Sequence, residues 1–122
     1  MKLSDVKAIL QAEVICGAEH LDQEAITVCG ADLMSDVLAF SKEKTLLLTG
    51  LTNVQVIRTA EMGDLVGIVF VRGKRPGPEV IDMARDNGIP LMVTEYPLFE
   101  SCGLLYSQGS FKGPRLAMTS DV

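Results

Sequence analysis

Residues Thr45 to Asn53, TLLLTGLTN, place three consecutive leucines directly before a glycine turn rich in hydroxyl and amide groups. A strand with one face in water alternates apolar and polar residues. Leu46, Leu47 and Leu48 do not alternate, so this strand must be covered on both faces, as in a parallel sheet. The residues that follow, NVQVIRTAEMG, set Val54, Ile57 and Ala60 at helical spacing, with Thr52 or Asn53 positioned to cap the helix start. Strand, Gly50 turn and helix make half of a βαβ unit.

The same grammar recurs along the chain. Ser4 is placed to cap a first helix with Val6, Ile9 and Leu10 on one stripe, and Glu13 to Cys16 reads as a short strand closed by Gly17. A polar connection from Gly17 to Glu24 holds the only histidine, His20, expected to be solvated. Ala25 to Ala31 is the next strand, and Asp32 is expected to cap a helix that turns Leu33, Met34, Val37, Leu38 and Phe40 inward. Gly63 is expected to end the helix after the central strand in a left-handed cap. Leu65 to Val71 is a second wholly apolar strand. Pro78 then opens a helix with Val80, Ile81 and Ala84 inward, closed by Asn87-Gly88. Ile89 to Val93 forms the last strand, and a final helix from near Pro97 is expected to bury Leu98, Phe99, Cys102 and Leu105. Strands alternating with helices predict a three-layer α/β/α domain over residues 1–108, with a mostly parallel sheet of about five strands. Residues 109–122 show no periodicity and are expected to be disordered or laid against a partner subunit.

Composition narrows the function. A net charge of −5 and an isoelectric point near 4.7 argue against a nucleic-acid partner, which requires a basic face. A hydrophobic fraction of 48% and a mean hydropathy of +0.28 are high for a small chain and point to a homodimer interface. The longest apolar runs fall far short of the ~20 residues a membrane helix needs. The N-terminus carries charge within its apolar periodicity and is not expected to be a signal peptide. Cys16, Cys29 and Cys102 are odd in number and widely spaced, without CxxC pairing, so reduced structural thiols in a cytoplasmic protein are expected. No metal or other cofactor is expected.

In an open parallel sheet, the carboxyl ends of the strands share one edge, and ligands bind there at a change of strand order. That nominates the loops Gly30 to Asp32, Thr49 to Asn53, Arg72 to Arg75 and Thr94 to Tyr96. The candidate ligand-binding residues are Thr49, Gly50, Thr52, Asn53, Arg72, Gly73, Lys74, Arg75 and Thr94. Arg72, Lys74 and Arg75 would neutralise an anion; backbone N–H groups near Gly50 and Gly73 would orient it. GIVFVRGKR is no phosphate loop, because five residues separate Gly67 from Gly73 and Arg75 stands where Ser or Thr is required. There is no GxGxxG, GxSxG or HExxH, and no histidine placed to serve a nucleophile, so no catalytic residue is nominated.

The segments GADLMSDVLAF, LLLTGLTNVQVIRTA, FVRGKRPGPEVIDMA and IPLMVTEYPLFE together resemble a stand-alone DRTGG domain, over about residues 1 to 108. The first third also resembles the amino-terminal domain of HPr kinase/phosphorylase. Gly50, Gly73, Arg75 and Pro76 match the family pattern. Gly50-Leu51-Thr52 stands where the family has Gly-Asp-Arg, and Val71-Arg72-Gly73 where it has Thr-Gly-Gly. The resemblance implies a regulatory module of the kind found beside phosphotransacetylase and CBS domains. It also implies, by gene association, iron hydrogenase or kinase-like partners.

Three functional expectations follow. The leading one is a non-catalytic regulatory module that binds a phosphorylated or nucleotide-like ligand at the carboxyl edge of its sheet. The alternative is an interaction subunit with no small ligand, serving a redox or kinase-like partner. An enzyme is the weakest reading, since no positioned acid, base or nucleophile pair is visible.

Overall fold

The computed structural model describes residues 1–109, so the expected irregular tail lies outside the described residues apart from Gly109. The elements are α1 (Leu3–Leu10), β1 (Glu13–Cys16), a short 3-10 turn (Ala18–His20), β2 (Thr27–Gly30), α2 (Met34–Phe40), β3 (Thr45–Thr49), α3 (Val54–Met62), β4 (Leu65–Phe70), α4 (Pro78–Asp86), β5 (Leu91–Val93) and α5 (Leu98–Gln108). The five strands lie in the order β1-β5-β4-β3-β2. Neighbours from β2 to β5 are parallel, and β1 runs antiparallel to β5.

The pleat explains the two cores. Leu47 of β3 joins Ile68, Phe70, Leu91 and Val93 on one face, covered by Val37 of α2, Val56, Ile57 and Ala60 of α3, and Val80 and Ala84 of α4. Leu46 and Leu48 point the other way, with Val66, Val69 and Met92, under Leu3, Val6 and Leu10 of α1 and Leu105 of α5. All three leucines are fully buried. Each contributes about 1.5–3 kcal/mol relative to exposure, which is why a central strand of this composition demands helices on both sides. The expected three layers are present, with three helices on one face and two on the other.

Several local expectations are corrected. Asp32 does not cap α2; the N-cap position falls on Leu33, and the Asp32 carboxylate is used elsewhere. Gly63 has φ −92, and the left-handed residue is its neighbour Asp64, with φ 53. Asn53 stands at the N-cap of α3 but makes no side-chain capping bond. At α1 the cap position is Lys2, whose N–H donates to the Asp5 carboxylate, so Ser4 is already inside the helix. Phe40 and Phe99 are 75% and 87% exposed, not inward, and Leu33 and Leu38 are exposed as well. The reason is angular: α2 is two turns long and buries only Met34 and Val37. In α5 the fully buried residues are Ser101 and Leu105, with Leu98 and Cys102 packed beside them, which swings Phe99 outward.

Gly17 is the tightest backbone contact in this frame. It has φ +82, and a Cβ added there would lie 2.5 Å from Cα of Pro90, a backbone atom that cannot swing aside. Gly17→Ala is therefore expected to cost about 3 kcal/mol. Gly103→Ala, in the middle of α5 with nothing within 4 Å of the added carbon, is expected to stabilise by about 1 kcal/mol through helix propensity. Urea unfolding of the two variants checks both signs, and equal effects would contradict the packing at Gly17.

Candidate functional site

All four parallel strands deliver their loops to one edge, and hydrogen bonds stitch those loops together. The Val71 N–H donates to the Thr49 carbonyl (3.0 Å) and the Thr94 N–H to that of Phe70 (2.9 Å). The Gly73 N–H donates to the Thr94 carbonyl (2.8 Å) and the Arg72 N–H to that of Tyr96 (3.0 Å). Because β1 is antiparallel, its first residue, Glu13, pairs opposite Val93 and so lies at this same edge.

At the β2 and β3 ends, Oδ1 of Asp32 accepts from the Thr49 hydroxyl (2.9 Å) and from the Gly50 N–H (2.8 Å). The Thr49 oxygen in turn accepts from the Leu51 N–H (3.2 Å). The Gly50 turn is thus held by a carboxylate from the neighbouring loop, and the N–H expected to orient an anion already has an acceptor. Thr52 is half-buried beside this turn and Asn53 is exposed. The Val56 N–H at the start of α3 donates to the Asn53 carbonyl (3.2 Å), and with no side-chain cap the preceding Val54 and Gln55 N–H groups have no acceptor among the described residues.

At the β4 end, Arg72 and Gly73 adopt φ 58 and 66, and the Lys74 N–H closes the turn on the Val71 carbonyl (3.2 Å). Two successive left-handed residues make this a tight reversal of the I′ kind. The exposed Glu95 carboxylate lies directly above Gly73, its oxygens 2.8 and 2.9 Å from where a Cβ would sit; a larger residue would have to displace that side chain and also take up the φ of 66 that glycine adopts without strain. Arg75 reaches across β5 to grip Glu13 with both terminal nitrogens (3.0 and 2.8 Å). These bonds and the guanidinium charge hold the Glu13 carboxyl below its ordinary range and raise the Arg75 guanidinium in turn. Arg72 and Lys74 are exposed. Neither forms an ion pair among the described residues.

The structure therefore gathers Thr49, Gly50, Thr52, Asn53, Arg72, Gly73, Lys74 and Arg75 on one rim but turns Thr94 away from it. Thr94 is buried on the face opposite to Leu91 and Val93, and its hydroxyl donates to the Leu10 carbonyl at the end of α1 (2.7 Å). Three carboxylates outside the candidate ligand-binding residues share the rim: Asp32 and Glu95, which lie in nominated loops, and Glu13, which does not. Asp32 and Glu95 follow strands directly and had a positional signal; Glu13 had none, because its place depends on the antiparallel edge strand.

Other groups stand apart from this rim. Burial pushes all three thiols up, Cys16, Cys29 and Cys102 alike, and a thiol with little thiolate is a poor nucleophile. A shallow cavity of about 300 Å³ lies at the opposite edge, lined by Gln23, Glu24, Lys44, Asp64, Leu65 and Val66. Its acids outnumber its single cation, and Glu24 is already paired with the N-terminal ammonium (2.7 Å), so it suits an anionic ligand poorly. Among the described residues no cluster of potential metal ligands occurs, and no helix is long and apolar enough to cross a membrane.

Comparison with known families matches residues 5–106 to the DRTGG domain. The chain belongs to the DRTGG domain family. No match is found among curated proteins. Among solved structures, this DRTGG domain is similar to the CBS and DRTGG domains of the regulatory region of Clostridium perfringens pyrophosphatase, a crystal structure in complex with its activator, diadenosine tetraphosphate. The TM-score is 0.67 at 18% identity, covering 85% of this chain and 45% of that one. The two share a fold, and this chain spans less than half of that regulatory region.

The Glu13–Arg75 contact is testable by titration. Glu13 has a depressed carboxyl pKa in the folded state, so whatever stability the contact adds is present above the unfolded glutamate value and is lost as pH falls through the folded one. An NMR titration is expected to place Glu13 below an ordinary glutamate, and Arg75→Ala to raise it. An unmoved Glu13 in that variant would mean the pair does not persist in solution.

Proposed function

We propose that this DRTGG domain is a non-catalytic regulatory module that binds a phosphorylated or nucleotide-like ligand at the carboxyl edge of its sheet. One observation carries the reading: Arg72 and Lys74 are exposed on a left-handed turn after β4, without ion pairs among the described residues, on the same sheet edge as the start of α3 after the neighbouring β3, which has no side-chain cap. Cationic side chains and free N–H groups on one rim suit a phosphate. Thr52 and Asn53 would orient the ligand, and Arg75 would contribute by leaving Glu13. The activator in the regulatory region of the clostridial pyrophosphatase is a dinucleotide, which supports the same ligand class here. The module is expected to work in the cytoplasm as a homodimer.

A second reading has its own support. Phe99 and Tyr106 are 87% and 70% exposed, and their spacing places them on one face of α5 around Gly103. Such a face suits a protein partner, of redox or kinase-like type, with no small ligand involved.

Thermal unfolding against adenine and guanine nucleotides, dinucleotides and acyl phosphates separates the two. Under the ligand reading, a ligand at 100 times its dissociation constant adds about 2.7 kcal/mol of stability, and Arg72→Ala combined with Lys74→Ala removes that gain while leaving the unliganded midpoint within about 0.5 kcal/mol. Full stabilisation of the double variant would refute the rim as the site. A flat response across the whole panel would favour the partner-binding reading.

A further inference from the structure

The rim is asymmetric in a way that selects among ligands. Its β4 side carries the cations Arg72 and Lys74, whereas its β2 side carries a fixed carboxylate. Both bonds to Asp32 fall on one oxygen: the Thr49 hydroxyl and the Gly50 N–H converge on Oδ1. Oδ2 has no hydrogen bond among the described residues, and Asp32 is exposed. The carboxylate is therefore locked in orientation with one acceptor presented to solvent. Thr49 is itself buried and held by the Leu51 N–H, so the lock is anchored in the core. An ionised carboxylate oxygen only accepts; it repels a phosphate and attracts a hydroxyl.

We infer that Asp32 reads the ribose hydroxyls of a ribonucleoside polyphosphate whose terminal phosphate lies on Arg72 and Lys74. The assignment rests on the ligand-binding reading of this rim and makes it more specific. Geometry sets the ligand's length. Asp32 follows β2 and Arg72 follows β4, with β3 between them, which separates the two ends by about 10 Å. A nucleoside diphosphate covers that span between its ribose hydroxyls and its terminal phosphate. Inorganic phosphate and small acyl phosphates do not. Nothing in this arrangement reads the base, so adenine and guanine nucleotides are expected to bind alike at Asp32.

The clean variant is Asp32→Asn. Its amide oxygen retains both acceptor bonds, to Thr49 and Gly50, and only the outward oxygen is exchanged for an NH₂ group. The fold and the Gly50 turn are thereby preserved, which circular dichroism and the unliganded melting midpoint verify. Binding of ADP and of 2′,3′-dideoxy-ADP to the full chain would be measured by calorimetry, with pyrophosphate as a third probe. The expected result is binding of ADP at least about tenfold tighter than of the dideoxy analogue or of pyrophosphate in the wild type, as befits hydrogen bonds to a charged acceptor, and a clear reduction of that discrimination in Asp32→Asn, whose neutral amide can only donate weakly to a hydroxyl. Equal binding of ADP and its dideoxy analogue by the wild type would overturn the role of Asp32 while leaving an anion site intact. Discrimination that persists undiminished in Asp32→Asn would overturn it too. Failure of all three probes to bind would overturn this inference together with the nucleotide reading beneath it.

Discussion

Every position of β3 is buried, and the rest of the domain takes its place from the need to cover that strand. Two parallel neighbours satisfy its backbone groups, β2 on one side and β4 on the other. Parallel neighbours need crossovers, and crossovers supply the helices that cover one face. The other face has to be covered from the two ends of the chain, by α1 and α5. With the sheet advancing from β2 to β5 in sequence order, α1 leads into the one strand that can still join, β1, and it joins antiparallel at the free edge of β5. The carboxyl rim follows from this arrangement: four loops by necessity, plus Glu13 as the first residue of the reversed strand.

The architecture was legible because it rests on repeated local signals. Runs such as LLL and IVFV announce strands without a wet face, and Pro78, Asn87-Gly88 and Pro97 mark helix boundaries that the structure keeps. Angular detail was not legible. Leu98 and Phe99 are adjacent and both apolar, so nothing in the residue pattern says which of them faces the sheet. The packing of α5 decides it through Ser101, which is fully buried and donates to the Tyr96 carbonyl (3.4 Å). Gly63 and Asp64 show a similar limit: glycine is the residue expected at positive φ, yet the turn between α3 and β4 places that conformation on Asp64.

The candidate rim was legible as a place and less so as an electrostatic object. Its cations stand in one short run of sequence, Arg72 to Arg75, and are easily found. Its carboxylates come from three separate points, residues 13, 32 and 95, and meet the cations only through strand order and the one antiparallel pairing. Each carboxylate holds a different part of the rim. Glu13 grips Arg75, Asp32 closes the Gly50 turn, and Glu95 roofs Gly73. A rim built from cations alone would hold itself apart by like-charge repulsion. Distributing acids along it holds the loops together and leaves Arg72 and Lys74 as the rim's cations without an ion pair among the described residues.

That preorganisation also bears on what kind of chemistry the rim suits. Reaction at a rim requires a nucleophile or a proton carrier free to move against a bound group. Here the hydroxyls of Thr49 and Thr94 are fully buried and committed, one to Asp32 and one to the Leu10 carbonyl, and burial holds the thiols protonated. Arg72, Lys74 and the second oxygen of Asp32, on exposed side chains, are groups that can recognise a ligand by charge and hydrogen bonding alone. A ligand seated across them would bridge the loops of β2 and β4, which in this structure meet only through β3. Bridging of that kind adds its binding energy to the stability of the folded rim, and the β2 end of that rim is backed from behind by Leu98 and Cys102 of α5, which pack over Gly30.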